Sequence, residues 1–209
     1  MEYMKTLPDN AFDLAIVDPP YGIKCSSVNK NRDPNSKFRR SLAAFVESAK
    51  AWNHLKPTQE YFNALFRVSK NQIIWGANNF TLPPTEYFCI WSKQQSVKNF
   101  ASAEYAWCSP GLKQPALVFD YSIHKTIAVR KANGGKIHPT QKPVALYAWL
   151  LKNYSKPGER ILDTHLGSGS SAIAAHYFGV DFVGCEINKD YFNAAQQRIK
   201  DKTAQLTLF

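Results

Sequence analysis

The sequence predicts an α/β fold built on a doubly wound, mostly parallel sheet in a single domain, residues 1–209. Three observations predict it. An apolar stretch, Phe12–Val17, runs straight into Asp18-Pro19-Pro20-Tyr21. Far along the chain, the short run Arg160–Asp163, a glycine-bearing turn, a helical stretch and a second run from Asp181 to Cys185 form one βαβ unit. Between them, short apolar runs alternate with stretches of helical spacing.

Met1 to Asn10 is a polar lead-in. Phe12, Leu14, Ala15, Ile16 and Val17 then form a short apolar run bounded by turn formers, which reads as a buried strand. Asp18 sits where it ends. Pro19 and Pro20 lack an N–H, so they forbid a continuing central strand and hold Asp18 and Tyr21 at stiffly defined positions. In open α/β sheets, ligands bind beyond the carboxyl ends of strands. A carboxylate, the Pro19 carbonyl and an aromatic ring suit a planar base with an exocyclic amine: the two oxygens accept hydrogen bonds and the ring stacks. A plain strand-terminating turn is the competing explanation, and Asp-Pro alone would favour it.

Residues 22–40 change character. Lys24, Lys30, Arg32, Lys37, Arg39 and Arg40 face only Asp33 in charge, among Ser, Asn, Gly and Pro, and no periodicity survives. They read as a mobile basic loop beside Asp18 and are expected to grip a DNA backbone. Two helices follow, Ser41–Asn53 and Thr58–Val68, broken at Pro57. Short strands are expected at Gln72–Trp75, Tyr87–Trp91 and Ala103–Cys108, with Trp75 and Trp91 in the core. From Gly111 to Ile137 no pattern is clear beyond a short apolar piece, Ala116–Phe119, and scattered basic residues.

His138-Pro139-Thr140-Gln141-Lys142-Pro143 opens a helix that runs to about Tyr154, with Thr140 as its expected N-cap and Pro143 in its first turn. The strand Arg160–Asp163 leads into Thr164-His165-Leu166-Gly167-Ser168-Gly169-Ser170-Ser171. The helix from Ser170 or Ser171 to Gly179 is apolar nearly all round and is expected to be buried. Glu186, at the end of the next strand, can accept hydrogen bonds from ribose hydroxyls, with Ile187 beside it. Gly167, Gly169 and Ala172 also fit a dinucleotide fingerprint, so this segment alone does not separate NAD from S-adenosylmethionine. NAD, however, would leave Asp18 to Tyr21 unexplained. Asn188 is expected to cap the last helix, beyond which residues 203–209 form a tail.

Taken together, these motifs resemble the amino-group DNA methyltransferases that use S-adenosylmethionine. Asp18-Pro19-Pro20-Tyr21 resembles the catalytic motif of the N6-adenine enzymes; their N4-cytosine relatives more often carry Ser first. The order of parts, with the tetrad ahead of the glycine loop, is similar to the beta arrangement of that family. The resemblance implies a seven-stranded type of sheet with one antiparallel strand. The family usually carries a strand ahead of the tetrad's own strand, and the sheet here is expected to lack that N-terminal edge strand. It implies Asp18, Pro19, Pro20 and Tyr21 as the catalytic group. It implies His138, Thr140, Lys142, Asp163, His165, Leu166, Gly167, Ser168, Gly169, Ser170, Glu186 and Ile187 around S-adenosylmethionine, with Lys142 and the following helix N-terminus near its carboxylate. His165 stands where the family usually has Phe, and Ser170-Ser171 replaces a usual Thr-Thr. The sequence-reading segment falls within residues 110–137. Double-stranded DNA is the implied partner. Gln205-Leu206-Thr207-Leu208-Phe209 resembles the peptide by which bacterial DNA enzymes dock on the replication sliding clamp. N4-cytosine methylation, a non-catalytic DNA-binding role and a homodimer stay open.

The net charge of +10 suits a polyanionic partner. No apolar run approaches the ~18–20 residues of a membrane span. Cys25, Cys89, Cys108 and Cys185 lie far apart and form no metal-binding pair, so they read as reduced thiols of a cytoplasmic protein, with no metal site.

Overall fold

A computed structural model describes residues 1–22, 56–96, 101–132 and 134–204. The strands are β1 (Phe12–Val17), β2 (Ser69–Trp75), β3 (Phe88–Ser92), β4 (Ala103–Cys108), β5 (Leu117–Asp120), β6 (Arg160–Asp163) and β7 (Asp181–Gly184). The helices are α1 (Glu2–Lys5), α2 (Gln59–Val68), α3 (Ile123–Ala132), α4 (Val144–Tyr154), α5 (Ser170–Phe178) and α6 (Lys189–Thr203). One seven-stranded sheet has the order β5-β3-β4-β2-β1-β6-β7. Only β4 is reversed: it pairs antiparallel with β2 and β3, while every other pairing is parallel.

β1 lies inside the sheet, between β2 and β6. From Leu14 to Val17 its side chains alternate between two cores, because successive strand residues point to opposite faces, whereas Phe12 at the start falls out of that alternation. Leu14 and Ile16 pack with Ile73, Trp75, Leu146, Leu150 and Ala174 on one face. Phe12, Ala15 and Val17 pack with Tyr61, Phe62, Leu65 and Leu162 on the other. A strand covered on both faces reads as a near-continuous apolar run, and residues 12–17 are apolar but for Asp13. The chain leaves β1 for β2 on one side and returns to β6 on the other. The carboxyl ends of β1 and β6 therefore border a crevice at a topological switch point.

Several elements differ from expectation. The lead-in is not merely polar: α1 buries Met4 against the second core, and Arg67 of α2 donates to the carbonyls of Met4 and Leu7 and pairs with Asp9 at 2.9 Å. β2 starts at Ser69, directly after α2, with no intervening loop. Leu117–Asp120, expected as no more than a short apolar piece, pairs with β3 as an edge strand and brings the sheet to seven. The opposite edge is β7, which has no further strand partner among the described residues. The basic helix α3 buries only Thr126, so it carries no amphipathic signal. α5 buries its first turns, but Tyr177 at its end is exposed. The expected helix at 41–53, the basic loop residues Lys24, Lys30, Arg32, Lys37, Arg39 and Arg40, and the tail Gln205–Phe209 lie outside the described residues. No helix among the described residues is long and apolar enough to cross a membrane.

Candidate active site

Asp18 follows β1 and faces the crevice, its side chain 13% exposed. The Tyr21 hydroxyl donates to Asp18 Oδ1 at 2.6 Å, and the Lys142 ammonium lies 2.6 Å from Oδ2. Lys142 is itself buried and lies 2.9 Å from Glu104 Oε2, whose other oxygen is 2.6 Å from Lys93 Nζ. Burial alone would discharge Lys142, but the Asp18 and Glu104 carboxylates beside it outweigh that and hold its pKa well above the usual range. Burial likewise pushes Glu104 up, and the Lys142 and Lys93 ammoniums together hold it down, at about 2. Burial, with the Asp18 charge, keeps the Tyr21 phenol protonated. Two carboxylates and two ammoniums thus balance, which is what lets charge persist in so dry a place.

Tyr21 is placed by its neighbours. Its ring meets Phe80 edge-on at 6.1 Å and lies over Gly76, the left-handed residue (φ +66°) that ends β2. A Cβ on Gly76 would fall 2.0 Å from the ring. A glycine at this turn therefore serves both the backbone and the close approach of Tyr21.

Beside Asp18 opens a cavity of about 420 Å³. Asp18, Pro20, His138, Thr140, Lys142, His165, Leu166, Gly167, Ser168, Ser170, Glu186 and Ile187 of the expected set line it, joined by Gln141, Tyr147, Asn188 and Tyr191. Pro19, Tyr21, Asp163 and Gly169 of the expected set are not among its lining residues. The glycine loop takes its shape from several anchors. Glu186 accepts from the Gly167 amide through Oε2 and from the Asn188 amide through Oε1, both at 2.9 Å. Arg198 of α6 reaches back to the Ser168 carbonyl at 2.6 Å and Ser170 Oγ at 3.0 Å. Ser170 Oγ in turn donates to the Lys142 carbonyl at 2.8 Å, tying the loop to the His138–Pro143 segment. The His138 ring lies against Gly167 and meets Tyr191 edge-on at 4.5 Å.

Thr140 is not the N-cap of α4. Its hydroxyl turns to His138 Nδ1 at 3.2 Å, and the helix starts only at Val144, with Pro143 in the cap position. Lys142 precedes a proline, which disfavours the helical conformation there and delays the helix. Lys142 lines the cavity with the expected set, and its ammonium is taken up by two carboxylates of this chain. Asn188 does cap α6, accepting from the Asp190 and Tyr191 amides.

Both histidines of the cavity are neutral at pH 7. Burial lowers His165 to about 4, and burial with the nearby Lys136 and Lys142 charges lowers His138 to about 4. His165 Nδ1 lies 2.9 Å from Thr164 Oγ1, and its ring meets Tyr61 edge-on.

Asp163, at the end of β6, accepts from Ser171 Oγ at 2.6 Å and the His165 amide at 2.9 Å. Burial nevertheless raises its carboxyl from 3.8 to about 7, because those two hydrogen bonds oppose the desolvation only in part. The unfolded chain ionises this group near pH 4, and the folded one holds the proton until about pH 7. Its contribution to stability is therefore whole below pH 4 and is lost as pH rises to 7. Thermal melts of the wild type and Asp163→Asn across this range should show the wild type losing ground to the variant as pH rises. Parallel curves would refute the assignment.

A sheet with a ligand crevice beside a carboxylate and a glycine loop defines a nucleotide-type binding enzyme of the doubly wound class. Within that class the chain belongs to the DNA methylase family of the N6/N4 type, whose model matches residues 52–197. The match begins after Asp18-Pro19-Pro20-Tyr21, so the role of the tetrad rests on its geometry. The chain is 23% identical to the type II methyltransferase M.HinfI of Haemophilus influenzae, covering 96% of this chain and 66% of that protein. Among solved structures it resembles the M1.HpyAVI–SAM complex (18% identity, TM-score 0.56, 94% and 91% of the two chains). It also resembles the cytosine-N4-specific PvuII DNA methyltransferase (13% identity, TM-score 0.55, 97% and 88%). At these identities the likeness concerns the fold.

Glu104, Lys93 and Arg198 escaped the sequence reading. Glu104 heads β4, and because β4 is reversed its first residues lie at the carboxyl ends of β2 and β3. No local pattern carries that information.

Proposed function

We propose that the protein transfers a methyl group from S-adenosylmethionine to the N6 amine of adenine in double-stranded DNA. The observation that carries this reading is Asp18, a carboxylate held by Tyr21 and Lys142 at the rim of a cavity of about 420 Å³.

The cavity suits the methyl donor. Glu186 keeps unused acceptor capacity on both oxygens for ribose hydroxyls, since an ionised carboxylate offers about four sites. Ile187, fully exposed at the rim, offers an apolar surface to a purine. His138 and His165, both neutral, do not repel a cation. S-adenosylmethionine supplies a methyl on a sulfonium, which is already a good leaving group. The chain's task is the nucleophile, an amine whose lone pair is delocalised into the base. Hydrogen bonds from that amine to Asp18 and the Pro19 carbonyl pull the nitrogen towards tetrahedral geometry and free its lone pair. The base leaves the duplex to reach Asp18 and stacks on Tyr21.

Asp in the first place of the tetrad favours adenine, whereas the relatives for N4-cytosine more often carry Ser. The basic residues Lys24, Lys30, Arg32, Lys37, Arg39 and Arg40 are proposed to grip the DNA backbone. Residues 110–137, which contain β5 and the basic α3, are proposed to read sequence. Gln205–Phe209 are proposed to meet the sliding clamp.

The test is transfer from methyl-labelled S-adenosylmethionine to mixed-sequence DNA, followed by digestion to nucleosides. Labelled N6-methyladenine is expected. Labelled N4-methylcytosine would correct the base and keep the chemistry. DNA binding without label would refute methyl transfer.

A further inference from the structure

Lys142 joins the Asp18 carboxylate to a strand with no part in the proposed chemistry so far. Its ammonium lies 2.6 Å from Asp18 Oδ2 and 2.9 Å from Glu104 Oε2, with the Trp75 ring 6.0 Å away. The three charged groups come from the end of β1, the segment ahead of α4 and the start of β4. Glu104 is already paired with Lys93 at 2.6 Å. The Lys142 charge is therefore free to serve Asp18, with Glu104 fixing where it stands. Tyr21 holds the other oxygen of Asp18. With one contact on each oxygen the carboxylate is held at both ends, and a group that must receive an amine at a set angle needs that hold.

We propose that Lys142 is a positioning residue for methyl transfer: anchored by Glu104, it fixes the Asp18 carboxylate in the orientation that receives the target amine, and it does not hold the methyl donor. The proposal rests on the reading of Asp18 given above. A donor-binding role would require the ammonium to leave two buried carboxylates, and nothing else in the cluster would compensate Asp18. The remaining titratable groups around Asp18 do not supply a cation: Tyr21 beside it, Tyr147 of α4, Asp163 of β6 and Glu104 of β4.

The test compares the wild type with Lys142→Arg, Lys142→Met and the double variant Lys142→Met/Glu104→Gln. It measures kcat, KM, S-adenosylmethionine affinity by calorimetry and the melting temperature. Lys142→Met should lower kcat about 100-fold, the scale of a misplaced reacting group, with donor affinity unchanged. Lys142→Arg should regain part of kcat. Lys142→Met leaves two carboxylates against the single ammonium of Lys93, and the double variant restores that charge balance, so it should regain melting temperature without regaining kcat.

Weakened donor binding with kcat intact at saturation would overturn the proposal in favour of a donor-binding lysine. A double variant that regains kcat along with melting temperature would reduce Lys142 to a structural role. No transfer by the wild type would overturn the methyl-transfer reading itself, and this proposal with it. An active wild type whose Lys142→Met variant is equally active would overturn the proposal alone.

Discussion

Asp18→Ala should abolish methyl transfer while the protein still binds S-adenosylmethionine. The carboxylate stands at the rim of the cavity, whereas the groups placed to hold the donor come from the glycine loop, Glu186 and the His138 segment. Losing a preorganised group aimed at the reacting atom costs about 10²–10³-fold in turnover, and Asp18 is the one carboxylate proposed to receive the amine. The variant should fold. Lys142 keeps Glu104 at 2.9 Å, so its charge is not orphaned, and only the Tyr21 hydroxyl loses its acceptor. Single-turnover transfer, measured beside calorimetric donor binding, checks both halves. Normal turnover would remove Asp18 from the mechanism, and lost donor binding would make it part of the donor site.

The second large effect should come from a methyl group placed well away from the donor. Gly76→Ala sets a side chain at φ +66°, where an L-residue costs about 1–2 kcal/mol. It also drives a Cβ to 2.0 Å from the Tyr21 ring, so the ring must move. Tyr21 then loses its 2.6 Å hold on Asp18 Oδ1. We expect a lower melting temperature together with a fall in kcat of about 10–100-fold, as for a displaced positioning group. Tyr21→Ala in the same chain makes room for the methyl, so the double variant should regain part of the stability that Gly76→Ala loses, but no activity. A fully active Gly76→Ala protein would show that Tyr21 need not stand where it does.

These two predictions differ in how far the sequence alone leads to them. Asp18 is legible because its signal is local: a short, mostly apolar strand, then two prolines that end it. The glycine loop and Glu186 are legible for the same reason, since a βαβ unit is contiguous in the chain. The edge strand β5 and the helix α3 are not, because a four-residue strand with one face exposed and a helix that buries only Thr126 leave almost no periodicity. The false N-cap at Thr140 has the opposite cause: a residue type suited to capping stands before a helix that a proline two positions after Gln141 holds back.

What the sequence determined by itself is the doubly wound class, the buried strand β1, the place of Asp18 at its carboxyl end and the turn that faces the cavity. These follow from hydrophobic patterning and turn chemistry, which act within a few residues. Only the tertiary structure decided what Asp18 touches. Lys142 is 124 positions away in the chain, and Glu104 reaches the site because β4 runs against its neighbours in the sheet. A charge in a dry crevice takes its partner from whatever the strand order brings beside it, and strand order is a property of the folded sheet that no local stretch of sequence carries.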